Sequence, residues 1–244
     1  MTLPTFVGAD PWSAGIGDIV VSLPTGWAVD DIHLLVVEQS AVNAFAAAPA
    51  GWTLVTGFQL KPASTATDAC ISVFWRRAVA GDTNPTVTDT GNHTSGQIFG
   101  FRGCITSGNP WDVLSTGTST TSSTTSTVPG ATTTVADCLV FIVYGSGIDV
   151  LSETEFSGQT NGDLANLTER ADNMSSNGNG GGFGVTTGEK ASIGAYGNTT
   201  VTHVNATTKA YGTIALKPAP APSVTFFQAN FPIILNTEAP MIGY

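Results

Sequence analysis

Charge is scarce in this chain. Lysine and arginine together number 8 and aspartate and glutamate 18 among 244 residues, so charged side chains make up 11%, where about 25% is usual. The few basic residues form no run; Arg76-Arg77 is a lone pair. A nucleic-acid-binding face clusters Lys and Arg, so with a net charge of −10 no nucleic-acid partner is expected, nor attraction to anionic lipid. No apolar run approaches the ~18 residues that cross a bilayer, so no membrane insertion is expected. The opening MTLPTFVGADPWSAG lacks the basic-then-apolar order of a secretory leader, and synthesis in a cytoplasm is the expectation.

Motifs for chemistry are equally sparse. The 3 cysteines, Cys70, Cys104 and Cys138, cannot all pair within the chain and show no CxxC spacing for zinc; they read as small buried hydrophobes. His33, His93 and His203 make no HxH or HExxH. Gly145-Ser146-Gly147 lacks the spacing of a nucleophile elbow. The acidic pairs Asp30/Asp31, Glu153/Glu155 and Asp163/Glu169 read as solvated turn or loop charges rather than a carboxylate pair across a cleft. No catalytic residue, metal or cofactor is assigned.

What the chain does have is period-two alternation punctuated by Gly, Pro, Asn and Asp, the signature of strands and turns. Ala69, Ile71, Val73 and Trp75 share one face; Phe99 and Phe101 share a face opposite Ile98 and Arg102. The near-continuous apolar runs 32–38 (IHLLVVE) and 136–144 (ADCLVFIVY) predict strands buried on both faces. The Ala-rich stretch 40–50 predicts a short helix, and 161–171 one or two helical turns or a strand. The Ser/Thr run 115–127 reads either as a flexible linker or as a solvent-facing strand. Short strands are expected at 183–187, 191–196, 199–206 and 210–217. This density predicts an all-β fold, an antiparallel β-sandwich over residues 1–217.

At 218–222 alternating prolines predict an extended spacer. Beyond it, 223–244 is apolar and too short for a domain, so it predicts either a last strand of the sandwich or a segment that docks on a partner, as an added strand would. Phe226, Phe227, Phe231, Ile233, Ile234 and Leu235 are its candidate docking residues. Among the 5 tryptophans, Trp52 and Trp75 read as core. Trp111, in the turn Gly108-Asn109-Pro110-Trp111-Asp112, reads as a surface or subunit contact; with Asn109, Asp112 and His93 it forms the candidate surface or glycan-contact set.

VFWRRAVAGDTNPTV, GNHTSGQIFGFRGC and SGNPWDV, followed by VPGATTTVADCLV, NLTERADN, GNGGGFGV and IALKP, resemble segments of virion structural proteins of tailed bacteriophages and prophages. The likeness covers roughly residues 15–218, and the segment after Pro218 departs from it. The resemblance implies a β-sandwich, often jelly-roll-like, used as a module of a tail, tail tip, fibre or head decoration. It carries no catalytic motif. It implies a non-enzymatic component located in the virion, with other virion proteins and copies of itself as partners, assembled through its C-terminal segment. A head-decoration or head-fibre protein, or a module binding host-surface glycan, are the alternatives.

Overall fold

The computed structural model describes residues 2–63, 65 and 68–221. Its first half holds β1 (Thr5–Ala9), β2 (Ser13–Gly15), β3 (Ile19–Val20), β4 (Ile32–Ser40), β5 (Thr53–Leu60), β6 (Ala69–Arg77), β7 (Thr86–Val87) and β8 (Thr94–Arg102). The second holds β9 (Trp111–Val128), β10 (Ala131–Thr133), β11 (Cys138–Ser146), β12 (Phe156–Thr160), β13 (Ala165–Ser175), β14 (Gly181–Lys190), β15 (Gly194–Tyr196) and β16 (Thr199–Leu216). Every pairing is antiparallel. The chain is an antiparallel β-sandwich of two six-stranded sheets, one from each half, with no helix among the described residues.

The two sheets repeat one plan. The first runs β1-β8-β4-β6-β5, and the second places β9, β16, β11, β14 and β13 in the same order. Register agrees in detail. Ile32 pairs with Phe101, and Leu139 with Leu216. A bulge follows Phe6 in β1 and follows Trp111 in β9. Leu23 N–H donates to the Asn84 side chain as Gly130 N–H does to that of Asn198. Asp30 and Asp137, both at positive φ (71° and 59°), donate their N–H groups to Ala78 and Ala191 respectively. The sheets face each other in reversed order, β5 over β9, β6 over β16 and β4 over β14, so the halves are related by an approximate two-fold.

Three apolar layers result. Ile32, Leu34, Val36, Ile71, Val73, Phe99 and Phe101 meet Phe141, Val143, Phe183, Val185 and Ile214 between the sheets. Phe141 is the hub, with ring centroids 5.4 Å from Phe99 and 5.8 Å from Phe101. Outside the first sheet, Ile19, Val21, Trp52 and Val87 cover Leu35, Val37, Phe74 and Ile98. Outside the second, Val128, Phe156, Leu164, Tyr196 and Val201 cover Val140, Ile142 and Tyr144. This explains why β4 and β11 are buried at every position and therefore lack polar alternation.

The expected helix at 40–50 is absent. These residues form a turn and an extended cover in which Ala46 and Trp52 close the first outer layer, so tertiary burial overrides alanine's helix preference. Residues 161–171 resolve as a turn and strand β13, the Ser/Thr run is strand β9 rather than a linker, and the two expected strands at 199–217 are one continuous β16. The opening residues 1–15 contribute β1 and β2 to a sheet edge. Lys217 and Ala219 tie the chain's exit to Pro110 and Gly103 by backbone hydrogen bonds.

Candidate functional site

The expected tail-docking residues, Phe226, Phe227, Phe231, Ile233, Ile234 and Leu235, lie outside the described residues. The proposed glycan-contact set does not assemble. Trp111 opens β9 half-buried and packs edge-on against Trp75 at 5.5 Å, which removes it as a free platform. The Asp112 carboxylate accepts from the backbone N–H of Thr134 and Val135 and from the Thr134 hydroxyl. Asn109 alone is exposed. His93 precedes the opposite end of β8 and is 1% exposed, so it is an interior group and not a surface contact.

The interior chemistry centres on the histidines, all buried. Glu38, two residues before the end of β4, is fully buried; the turn before β8 supplies His93, and β8 itself supplies Ser95. His93 Nε2 lies 3.1 and 3.3 Å from the two Glu38 carboxylate oxygens, and its Nδ1 lies 3.0 Å from Asn92 Oδ1. Both ring nitrogens face acceptors, so the imidazolium satisfies both at once. Burial works against the charged ring, but Glu38, with Asp89 and Asp149 behind it, outweighs burial and raises the His93 pKa. Burial also raises that of Glu38, opposed by His93 and Ser95. The second half closes over the pair: a methyl group on Gly181 would meet Glu38 Oε1 at 2.5 Å, and Asn179 N–H donates to Asn92 Oδ1. A hydrogen-bonded ion pair thus plugs one end of the seam between the sheets.

The second constellation is Ser126 and His203, from paired strands β9 and β16, with Oγ and Nε2 2.6 Å apart. A hydrolytic triad needs a third group orienting the imidazole; here His203 Nδ1 has no partner among the described residues. Burial first, then Lys209, lowers the His203 pKa to about 4. Lys209 is itself buried and donates to Thr121 O, Thr207 O and Ser123 Oγ. Ser126 is fully buried, so no substrate reaches the pair. The third, His33, lies between Trp27 and Trp52 with ring centroids 5.9 and 6.4 Å away; neither nitrogen is partnered, and burial lowers its pKa to about 4. No pocket opens among the described residues, and none of their His, Cys, Asp and Glu side chains form a metal-binding group.

The sequence drew attention to His93 but not to its partner. Glu38 was visible as the only acid inside the apolar run 32–38, a charge that burial obliges to find a counter-ion. Ser126 and Lys209 gave no such signal within polar stretches. No family model, curated protein or solved structure matches the chain.

Proposed function

We propose that this chain is a non-enzymatic structural component of a tailed-phage particle, a tail, tail-tip or fibre-associated sandwich that joins its neighbours through residues 223–244. The observation that carries the reading is how the chain divides its apolar surface. The described sandwich covers both faces of both sheets and pairs its buried Glu38 with His93, while the apolar stretch with Phe226, Phe227 and Phe231 follows a Pro-rich spacer. A scaffold complete in itself with a sticky extension is what a subunit of an assembly needs. The phage-like motifs supply the setting. Engagement of Trp111 by Trp75 weighs against the glycan-binding alternative.

Deletion of Ser223–Tyr244 is the test. The truncated chain is expected to keep its far-ultraviolet circular dichroism and to be missing from purified particles. Incorporation at full occupancy would refute the tail's role, and immunogold labelling of intact particles distinguishes a tail position from head decoration.

A further inference from the structure

The two halves differ most at one sheet edge. In the first sheet this edge is broken into β1 and β2 by Asp10-Pro11-Trp12. In the second sheet the equivalent stretch, around Ser115 and Thr116, runs straight through: Val113 to Ser119 pair without interruption with Ala215 to Lys209. From Val113 to Val128 the strand has no charged side chain and no proline. Sheet proteins block exposed edges with charge, proline, bulges or short strands; β9 breaks register only between Trp111 and Val113 and beyond Ser119, which leaves 113–119 without any of these devices, whereas the other long edges are blocked. β13 carries Glu169, Arg170 and Asp172 and two register breaks. β5 breaks between Leu54 and Gln59 around Gly57, at φ +88°. On the side of β9 facing away from β16, residues 113–118 make no hydrogen bond among the described residues.

We propose that this edge of β9 is an interface at which a second copy of the chain adds its own β9, antiparallel, about a two-fold axis. The strand is complementary to itself. With the axis at Thr116, Thr116 faces Thr116, Leu114 faces Thr118, Val113 faces Ser119 and Ser115 faces Gly117. Thr–Thr and apolar–Thr cross-strand pairs are favourable, and no like charges oppose one another. Copies of a chain with net charge −10 repel in most orientations, whereas a neutral strand edge lets two backbones approach. The nearest charge, Asp112, is held by Thr134 and Val135, and Lys209 is buried behind the strand. Such pairing joins the second sheets of two copies into one continuous sheet, an isologous contact independent of residues 223–244.

The full-length chain with Thr116→Cys tests this. Under mild oxidation it is expected to form a disulfide-linked dimer, whereas Thr168→Cys on the charged β13 edge remains monomeric. The exposed Thr118→Lys substitution is expected to halve the mass measured by light scattering without changing the melting temperature by more than a few degrees. Three results would each overturn the proposal: an unmodified chain that is monomeric at tens of micromolar, cross-linking at Thr116→Cys no greater than at Thr168→Cys, or cross-linking of Thr116→Cys only to a cysteine placed within 223–244, which assigns the edge to the tail.

Discussion

The first and second halves of this chain solve the same folding problem with different side chains. Both build a five-strand core order with matching register, yet where the first places Glu38 near the end of its central strand the second places Gly145. A methyl group on Gly145 would lie 2.7 Å from Ile71, so that end of the seam is closed by direct packing. At Glu38 it is closed by an ion pair with His93. A plan set by backbone pairing and an apolar interior thus tolerates polar and apolar closures alike, and what the halves must share is strand order, bulge positions and turn capping.

The interface between the halves is the place to break that equivalence most severely. Phe141→Ala removes the ring that both Phe99 and Phe101 contact and is expected to cost about 3–5 kcal/mol, read as a lower urea midpoint with an unchanged slope. Glu38→Ala gives the first half the second half's uncharged end but leaves His93 buried without its counter-ion. A loss of about 3 kcal/mol is expected at pH 7, with Glu38→Gln losing less because it keeps an acceptor for His93. If Glu38→Ala is neutral, the ion pair is not what closes the seam.

Titration sharpens the contrast. His33 and His203 are held near 4 when folded, against an ordinary 6.5. At these two sites the unfolded chain therefore binds more protons between those values, and each histidine's contribution to stability falls as pH drops from about 6.5 toward 4, by on the order of 3 kcal/mol. His33→Phe keeps the contact with Trp27 and Trp52 without an ionisable group, so its melting temperature should decline less over that acid range than the parent's. His93 acts in the opposite sense. Its pKa is raised by folding, so its contribution is complete below about 6.5 and is lost as pH rises through the folded value. Asp172, which burial raises to about 6, works in the opposite direction over the same range, so an acid-range decline identical in His33→Phe and the parent is the result that would contradict the burial of His33. The smallest effect concerns the shared turn: Asp30→Gly relieves a left-handed residue and is expected to stabilise by up to about 1 kcal/mol, measured by thermal unfolding.

Much of the architecture was legible in the residues. Alternation at 69–75 and 98–102 gave the correct faces, because a strand with an apolar layer on each side still sorts its largest residues to the deeper one. The runs 32–38 and 136–144 marked the two central strands. The repeat was not read from the sequence, where its trace is only an echo between Asn84-Pro85-Thr86-Val87-Thr88 and Asn198-Thr199-Thr200-Val201-Thr202, since strand pairing constrains pattern far more than identity. The cover at 40–50 was misread because its alanines are small for packing, not for helix. The Glu38–His93 pair joins residues 55 positions apart, a separation that no local pattern encodes.

The three cysteines acquire a use from where they sit. Cys70 belongs to the first sheet, Cys104 to the layer between the sheets and Cys138 to the layer outside the second. Burial pushes each thiol up to about 12, so in the closed fold almost none is thiolate at neutral pH. Alkylation at each cysteine then proceeds only as fast as its own layer exposes it. The chain thus carries three native clocks, one for each of three depths, able to time which half opens first without any added probe.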